Sequence, residues 1–376
     1  RSRGLGDVYK RQMNNVNDDD IPRLEEYEVY RSILYAKKIT SSVPGDLPKK
    51  IVKEFAAEIA VPVTEIFNKS LQNLEYPSKW KKEFATPLGK ISSPETCDDL
   101  RLISMTNFLS KVFERYIAKW IIDIVKEHID PGQFGGTPGN SITHYLIHLI
   151  NFILAHLDLR EPTAVLALIV DYAKAFNRMS HTRVITIMFE MGVPGWLLKL
   201  TASYLSDRTL VVRYDGCTST ERKMPGGAPQ GTFLRVLLFL LQMNSVRPVP
   251  HIPLLEHITA PQVKHPNTTA KYIDDLTAAS VIKLKEHLKP LDVPIRPVPY
   301  HSRTEHYLPD HDNPLIDQLN NILKSAEINQ MKLNNKKTVI MSFTKSRSLD
   351  FQPKILVDQK LLEVVESQKL LGVVIS

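Results

Sequence analysis

"AVLALIVDYAKAFN", Ala164 to Asn177, opens with seven apolar residues in a row and then stops at Asp171. A short apolar run without alternation is the pattern of a strand covered on both faces, at the centre of a sheet. Mixed α/β folds build their sites at the carboxyl ends of such strands, and Asp171 stands at that end. Taken singly, it reads as a strand-terminating cap on the next turn. A second acidic stretch bears on the choice. "KYIDDLTAAS", Lys271 to Ser280, sets Asp274 beside Asp275 between Tyr272, Ile273 and Leu276. Adjacent carboxylates repel, and a buried charge is costly unless it is paired or bound to a metal. An Asp–Asp pair in isolation reads as a solvated turn. A strand end and a hairpin turn on neighbouring strands, however, can face each other. Together they can hold two divalent cations roughly 3.5–4 Å apart, the clamp used in phosphoryl transfer.

A third stretch supplies backbone. "PGGAPQGTFL", Pro225 to Leu234, holds three glycines and two prolines, a bent and side-chain-poor surface that a ligand can approach closely.

The 376 residues are 43% hydrophobic and 24% charged, an ordinary globular composition long enough for two or three subdomains. No apolar run approaches the length of a membrane span. The net charge of +7 suits a polyanionic partner. Cys97 and Cys217 form neither a metal spacing nor a disulfide framework, which fits a reducing compartment.

Arg1–Gln12 is expected to be a non-native or disordered leader, and residues 13–50 a polar, loosely ordered lead-in. Lys49–Asn73 has helical spacing with an interruption expected near Pro62. Tyr76–Ser93 alternates like a strand and ends in a loop. The clearest helix is capped by Asn107, with an apolar stripe of Phe108, Val112, Phe113, Tyr116, Trp120, Ile121 and Ile124. "QFGGTPGNS" reads as a turn before a helix over Ile142–His156. Further helices are expected over Thr182–Met191, from Pro194, and over Leu315–Met331. A hairpin turns at Asp215–Gly216. "VLLFLLQM", Val236 to Met243, is a buried helix or strand. The Pro- and His-rich stretches Val246–Pro266 and Pro290–Pro314 read as surface loops or insertions. Leu333–Phe343 gives a turn and a strand, and Lys354–Ile375 short strands. His144 and His148 lie one helical turn apart, but without a third ligand they belong to packing or surface.

In this order the motifs resemble the reverse transcriptase domain of non-LTR retrotransposons, from about Val61 onward. "YPSKWKKEFATPLGK" resembles the family's first fingers motif. "DLRLISMTNFLSKVFERYI" and "QFGGTPGNSITH" resemble the next two. "VDYAKAFN" is similar to the motif with the first catalytic aspartate, "GGAPQGT" to the PQG motif and "YIDD" to the Y/F-x-DD box. "MKLNNKKT" resembles the lysine-bearing motif, and "KLLGVVIS" the start of the primer grip.

The resemblance implies an α+β, right-hand polymerase fold. Its palm would have a mainly antiparallel sheet backed by helices, with fingers of helices and strands and a thumb largely missing. The expected division is a leader over 1–48, fingers over 49–160, palm over 161–345 and primer grip with the start of the thumb over 346–376. The chain would be a fragment of a longer protein. The implied activity is template-directed deoxynucleotidyl transfer with an RNA template, a DNA primer and deoxynucleoside triphosphates. Mg²⁺, or Mn²⁺, would be the cofactor, and the location the nucleus or cytoplasm with no membrane. Asp171 and Asp274 would bind both metals, with Asp275 assisting. Phe176 would be the steric gate beneath the sugar. Gln230 and Gly231 would line the nucleotide pocket, Arg101 and Lys90 would hold the triphosphate, and Lys337 would sit near the leaving pyrophosphate.

Three residues depart from the family pattern. Arg235 stands where a small residue is usual, and its bulk is expected to displace the PQG loop. Asn177 replaces an aspartate, and Thr137 falls where an arginine is often found. Two other readings stay open: an RNA-dependent RNA polymerase with the same metal chemistry, and a degenerate palm that only binds nucleic acid. Phe176 separates the first of these, because an RNA polymerase needs room for the 2′-OH.

Overall fold

The computed structural model describes residues 21–36, 43–159, 163–227, 233–248, 267–283, 304–306, 314–345, 349–351, 355–357 and 360–375. In chain order, α1 (Glu26–Leu34), α2 (Lys49–Glu54) and α3 (Ala56–Asn73) precede β1 (Lys82–Gly89) and β2 (Leu100–Met105). Then come α4 (Phe108–Val125), α5 (Ile142–Leu157) and β3 (Thr163–Val170). Next are α6 (His181–Glu190), α7 (Gly195–Leu205), β4 (Thr209–Tyr214), β5 (Cys217–Thr218), β6 (Arg222–Lys223) and α8 (Phe233–Met243). Strands β7 (Asn267–Tyr272), β8 (Asp275–Lys283) and β9 (Thr304–His306) lead to α9 (Pro314–Ile328) and β10 (Val339–Thr344). Short strands end the chain: β11 (Leu349–Phe351), β12 (Leu356–Val357), β13 (Lys360–Leu361), β14 (Glu363–Val364), β15 (Gln368–Leu370) and β16 (Val373–Ile375). Two compact units form, one from residues 1–129 with 176–242 and one from 130–175 with 243–376. Among the described residues no helix is long and apolar enough to cross a membrane.

In the first unit, α1 lies inside the stretch expected to be loosely ordered. Val29 and Ile33, one turn apart, are fully buried, and the Asn68 side chain clips Leu24 with hydrogen bonds to its N–H and carbonyl, each 2.9 Å. Too few apolar residues sit there for the pattern to stand out, and burial against α3 supplies the order. Pro62 does not interrupt its helix either. The break falls at Phe55 (φ −102, ψ 35), and α3 runs through the proline. A proline costs about 3 kcal/mol inside a helix because it removes one hydrogen bond and crowds the preceding turn. Pro62 lies on the solvent side, while Val63, Phe67 and Leu71 bury the other face, and that burial outweighs the cost.

Asn107 does cap α4, its side chain accepting from the Ser110 N–H at 3.0 Å. The buried stripe is rotated from the expected one: Val112, Phe113, Ile117, Ile121 and Val125 are buried, while Tyr116, Trp120 and Ile124 are half-buried. Phe67 stacks on Phe113 at 4.6 Å, with Tyr76 and Trp80 completing an aromatic core. The first unit's sheet runs β2-β1-β4-β5, with β6 also on β4. Asp215 (φ 46) and Gly216 (φ 75) make the expected two-residue hairpin turn between β4 and β5. "VLLFLLQM" proves to be helical, within α8.

The second unit is built on the sheet β14-β10-β3-β8-β7, antiparallel except for β10–β14. Every residue of β3 is buried. Val165, Ala167 and Ile169 face Leu149 and Ile153 of α5, with Ala279, Val281, Val339 and Met341 alongside. The opposite face meets α9, where Gln318 Nε2 donates to the Ala279 carbonyl at 2.8 Å and to Ser280 Oγ at 2.9 Å. Helices cover both faces, so β3 carries no polar alternation.

Candidate active site

The hairpin bearing the acidic pair is as tight as a hairpin can be. Tyr272 of β7 pairs with Asp275 of β8, so only Ile273 and Asp274 form the turn. Ile273 has φ +60, a left-handed conformation that a β-branched side chain resists. Strain of this kind persists only where the surroundings hold it. The brace is the "QFGG" stretch. The Phe134 and Gly135 N–H groups donate to the Lys271 carbonyl at 2.8 and 3.2 Å, and the Lys271 N–H donates to the Gly132 carbonyl at 2.8 Å. A Cβ on Gly135 would lie 2.4 Å from the Ile273 nitrogen, so only glycine lets this backbone press against the turn. The sequence reading made this stretch a turn and missed the brace.

Lys271 anchors the hairpin from beneath. Its side chain is fully buried, its Nζ 2.5 Å from Asp130 Oδ2, and it donates to the Val246 carbonyl at 2.6 Å. Burial draws the ammonium pKa down, and Asp130 opposes that shift. Asp130 is fixed in turn by its N–H, which donates to Asn244 Oδ1 at 2.8 Å.

The register of β3 and β8 ends at Val170↔Leu276, so one step on Asp171 comes abreast of Asp275. Asp171 is gripped by the turn that follows α9. Its carbonyl accepts from the Asn334 N–H at 2.7 Å, its Oδ2 accepts from Asn334 Nδ2 at 2.8 Å, and its own N–H donates to Thr338 Oγ1 at 3.3 Å. The Asn334 carbonyl also accepts from the N–H groups of Lys337 (3.0 Å) and Thr338 (2.9 Å). Lys337 is exposed on this turn. Sequence reasoning singled out Lys337 and overlooked Asn334. The available signal was an asparagine opening a turn, the residue type that bonds neighbouring backbone.

Asp275 shows how closely the acids are set. Its side chain reaches solvent, yet the protein packed around it pushes its pKa up to about 6, by loss of water first and then by the charges of Asp274 and Asp171. The repulsion posed by the sequence is therefore present, and Asp171 adds to it. Among the described residues no group of three or more His, Cys, Asp or Glu side chains is placed to hold a metal ion by itself.

Lys90, Arg101 and Phe176 belong to the first unit. Lys90 and Arg101 are both exposed, at the loop end of the β1–β2 hairpin, where Leu88 pairs with Arg101 and the Lys90 N–H donates to the Asp99 carbonyl at 2.7 Å. Phe176 is half-buried, 4.5 Å from the Phe239 ring, with the Arg235 guanidinium 4.3 Å above its own ring. Gln230 and Gly231 lie outside the described residues, so the expected displacement of their loop by Arg235 lies there too. His148 bonds Thr268 Oγ1 at 2.9 Å and His144 is exposed, the packing and surface roles expected.

Residues 81–375 match the family model described as reverse transcriptase (RNA-dependent DNA polymerase). The chain is 29% identical over 250 residues to "Probable RNA-directed DNA polymerase from transposon X-element" of Drosophila melanogaster, covering 65% of this chain and 27% of that protein. It is 32% identical over 177 residues to "Probable RNA-directed DNA polymerase from transposon BS" of the same fly, covering 46% of this chain and 19% of that protein. Over 229 residues it is 26% identical to "RNA-directed DNA polymerase from mobile element jockey", again of Drosophila melanogaster, covering 59% of this chain and 24% of that protein. The chain thus spans about a quarter of the length of the curated relatives it matches.

Proposed function

Because this chain belongs to the reverse transcriptase (RNA-dependent DNA polymerase) family, we propose that its acidic site extends a DNA primer along an RNA template using deoxynucleoside triphosphates. The observation that carries this reading is the register that brings Asp171 abreast of Asp275, beside Asp274 in the two-residue turn, with the charges of Asp171 and Asp274 adding to the desolvation that raises Asp275. Residues 49–160 would supply the fingers and 161–345 the palm, which includes the β3–β8–β7 strands of the second unit's sheet.

The donor set fits a hard divalent cation. Mg²⁺ is usually held by one or two carboxylates, with waters and substrate phosphates completing its shell, so a closed protein cage is not required. Crowded carboxylates are also the charge state that such an ion relieves. Asp171 and Asp274 would hold Mg²⁺ or Mn²⁺, with Asp275 assisting. When bound, the ions lower the pKa of the attacking 3′-OH and offset charge on the leaving pyrophosphate.

The chain's own residues do the rest. Asn334 fixes the rotation of the Asp171 carboxylate. Lys337 places a cation for the pyrophosphate, and Lys90 and Arg101 hold the triphosphate. Gln230 and Gly231 line the nucleotide pocket. Phe176 would be the gate that refuses a ribose 2′-OH, a role that favours deoxynucleotides over the RNA polymerase reading. The site of action would be the nucleus or cytoplasm.

Primer extension on an RNA template, with deoxynucleotides and with ribonucleotides, tests this. Deoxynucleotide addition that needs Mg²⁺ and drops by orders of magnitude in Asp274→Asn, with template binding nearly unchanged, is expected, because phosphate contacts are separate from the metals. Ribonucleotide addition at equal efficiency would favour an RNA polymerase. Template binding without Mg²⁺ uptake would leave only a nucleic-acid-binding palm.

A further inference from the structure

Arg235 is the residue that departs most in size from the family pattern, and its surroundings give it work. It is only 5% exposed, in the first turn of α8. A buried guanidinium is costly unless its charge is met. Here the Phe176 ring lies 4.3 Å from the guanidinium, and Glu83, itself paired with Arg208 at 3.1 Å, feels its charge. Phe239 follows Arg235 by one helical turn, so one face of α8 offers Phe176 both a cation and a second ring at 4.5 Å.

The backbone of Phe176 is held as well. Gly227 has φ +76, and a Cβ there would lie 2.9 Å from the Phe176 carbonyl oxygen. The Gly227 carbonyl is bonded in turn to His181 Nε2 at 2.5 Å. Phe176 is thus packed against Gly227 at the main chain and against Arg235 and Phe239 at the ring, and remains half-buried.

We propose that Arg235 is a positioning residue that locks the Phe176 ring and thereby sets how stringently ribonucleotides are refused. The inference rests on the reading of Phe176 as the sugar gate. A ring free to swing can yield to a 2′-OH. A ring under a guanidinium must break that stack to move, and a deoxyribose asks for no movement. Arginine suits the task because its planar group stacks and stays charged at every working pH.

The test measures binding, so that it does not depend on turnover. The chain is loaded with a DNA primer on an RNA template and Ca²⁺, and the Kd values for dATP and ATP opposite a template uracil are compared. The unaltered chain should prefer dATP, and Phe176→Ala should abolish the preference. Arg235→Met keeps the length and loses the charge, and should reduce the preference about three- to thirtyfold by tightening ATP alone, the range expected for losing a cation–π contact. Arg235→Lys should fall between, and Arg235→Met should add nothing to Phe176→Ala. If Phe176→Ala removes the preference while both Arg235 variants keep it, the lock is wrong and the gate stands. Equal weakening of dATP and ATP in Arg235→Met marks a packing defect and also overturns the lock. If the unaltered chain shows no preference, or Phe176→Ala leaves it untouched, the gate reading falls and the lock falls with it.

Discussion

Asn334 holds Asp171 at two points, donating its backbone N–H to the Asp171 carbonyl at 2.7 Å and its side-chain amide to the carboxylate at 2.8 Å. The aspartate at the end of β3 is therefore oriented by a turn distant in sequence.

Asn334→Ala leaves Asp171 in place but frees its carboxylate to rotate. Partners of metal ligands typically account for 10–100-fold in metal affinity or activity, and about tenfold weaker Mg²⁺ binding is expected here. Titration calorimetry on the folded chain measures it. Asn334→Asp should weaken binding less than the alanine if charge count dominates, and more if donation to Asp171 matters. The second order is expected, because a carboxylate cannot donate and adds a like charge that raises Asp275 further. Unchanged Mg²⁺ affinity in both variants would reduce Asn334 to a turn former.

Proton uptake follows from the raised Asp275, at about 6 against an ordinary 3.8. Between those values the unfolded chain has lost this proton and the folded chain keeps it. The metal-free fold is therefore favoured by acid in this window and loses that contribution as pH rises from about 4 to 6. Bound Mg²⁺ reverses the preference by favouring the ionised form. Mg²⁺ binding near pH 6 should release protons, and its affinity should drop below that pH. Calorimetry in buffers of different ionisation enthalpy counts the protons. Asp275→Asn should abolish the release, and release persisting in that variant would assign the proton elsewhere.

Gly135→Ala should impair catalysis more than its size suggests. The new Cβ would stand 2.4 Å from the Ile273 nitrogen, so the brace and the acidic turn must separate. Overpacking of this kind costs about 1–3 kcal/mol. Thermal unfolding should show that loss, and extension by the still-folded variant should decline with it. Full activity would mean that the turn does not depend on the brace.

Lys271→Met should be among the most damaging changes outside the acidic residues. It leaves Asp130 buried without its cation, and breaking a buried pair costs about 3–5 kcal/mol. Combining Lys271→Met with Asp130→Asn should recover part of the loss, since the stranded charge is gone. Denaturant midpoints for the two singles and the double decide it. A double no more stable than Lys271→Met would remove the ion pair as the cause.

Much of this protein is written locally. The unalternating β3 announces a strand covered on both faces, Asn107 announces the start of α4, and Asp215–Gly216 announces a two-residue turn. Each depends on neighbours within a few residues, through side-chain period, cap chemistry or the φ that a turn demands. The acidic stretches were legible for the same reason. Other features depend on partners far along the chain. Whether Pro62 breaks a helix depended on the core that Val63, Phe67 and Leu71 fill, and whether residues 26–34 are ordered depended on a surface to bury Val29 and Ile33. The brace by Gly132–Gly135, the pairing of Lys271 with Asp130 and the hold of Asn334 on Asp171 join segments that no local pattern relates. Sequence alone placed aspartates at a strand end and in a hairpin turn. Only the tertiary structure, by setting register and burying charge, decided which other residues hold them there.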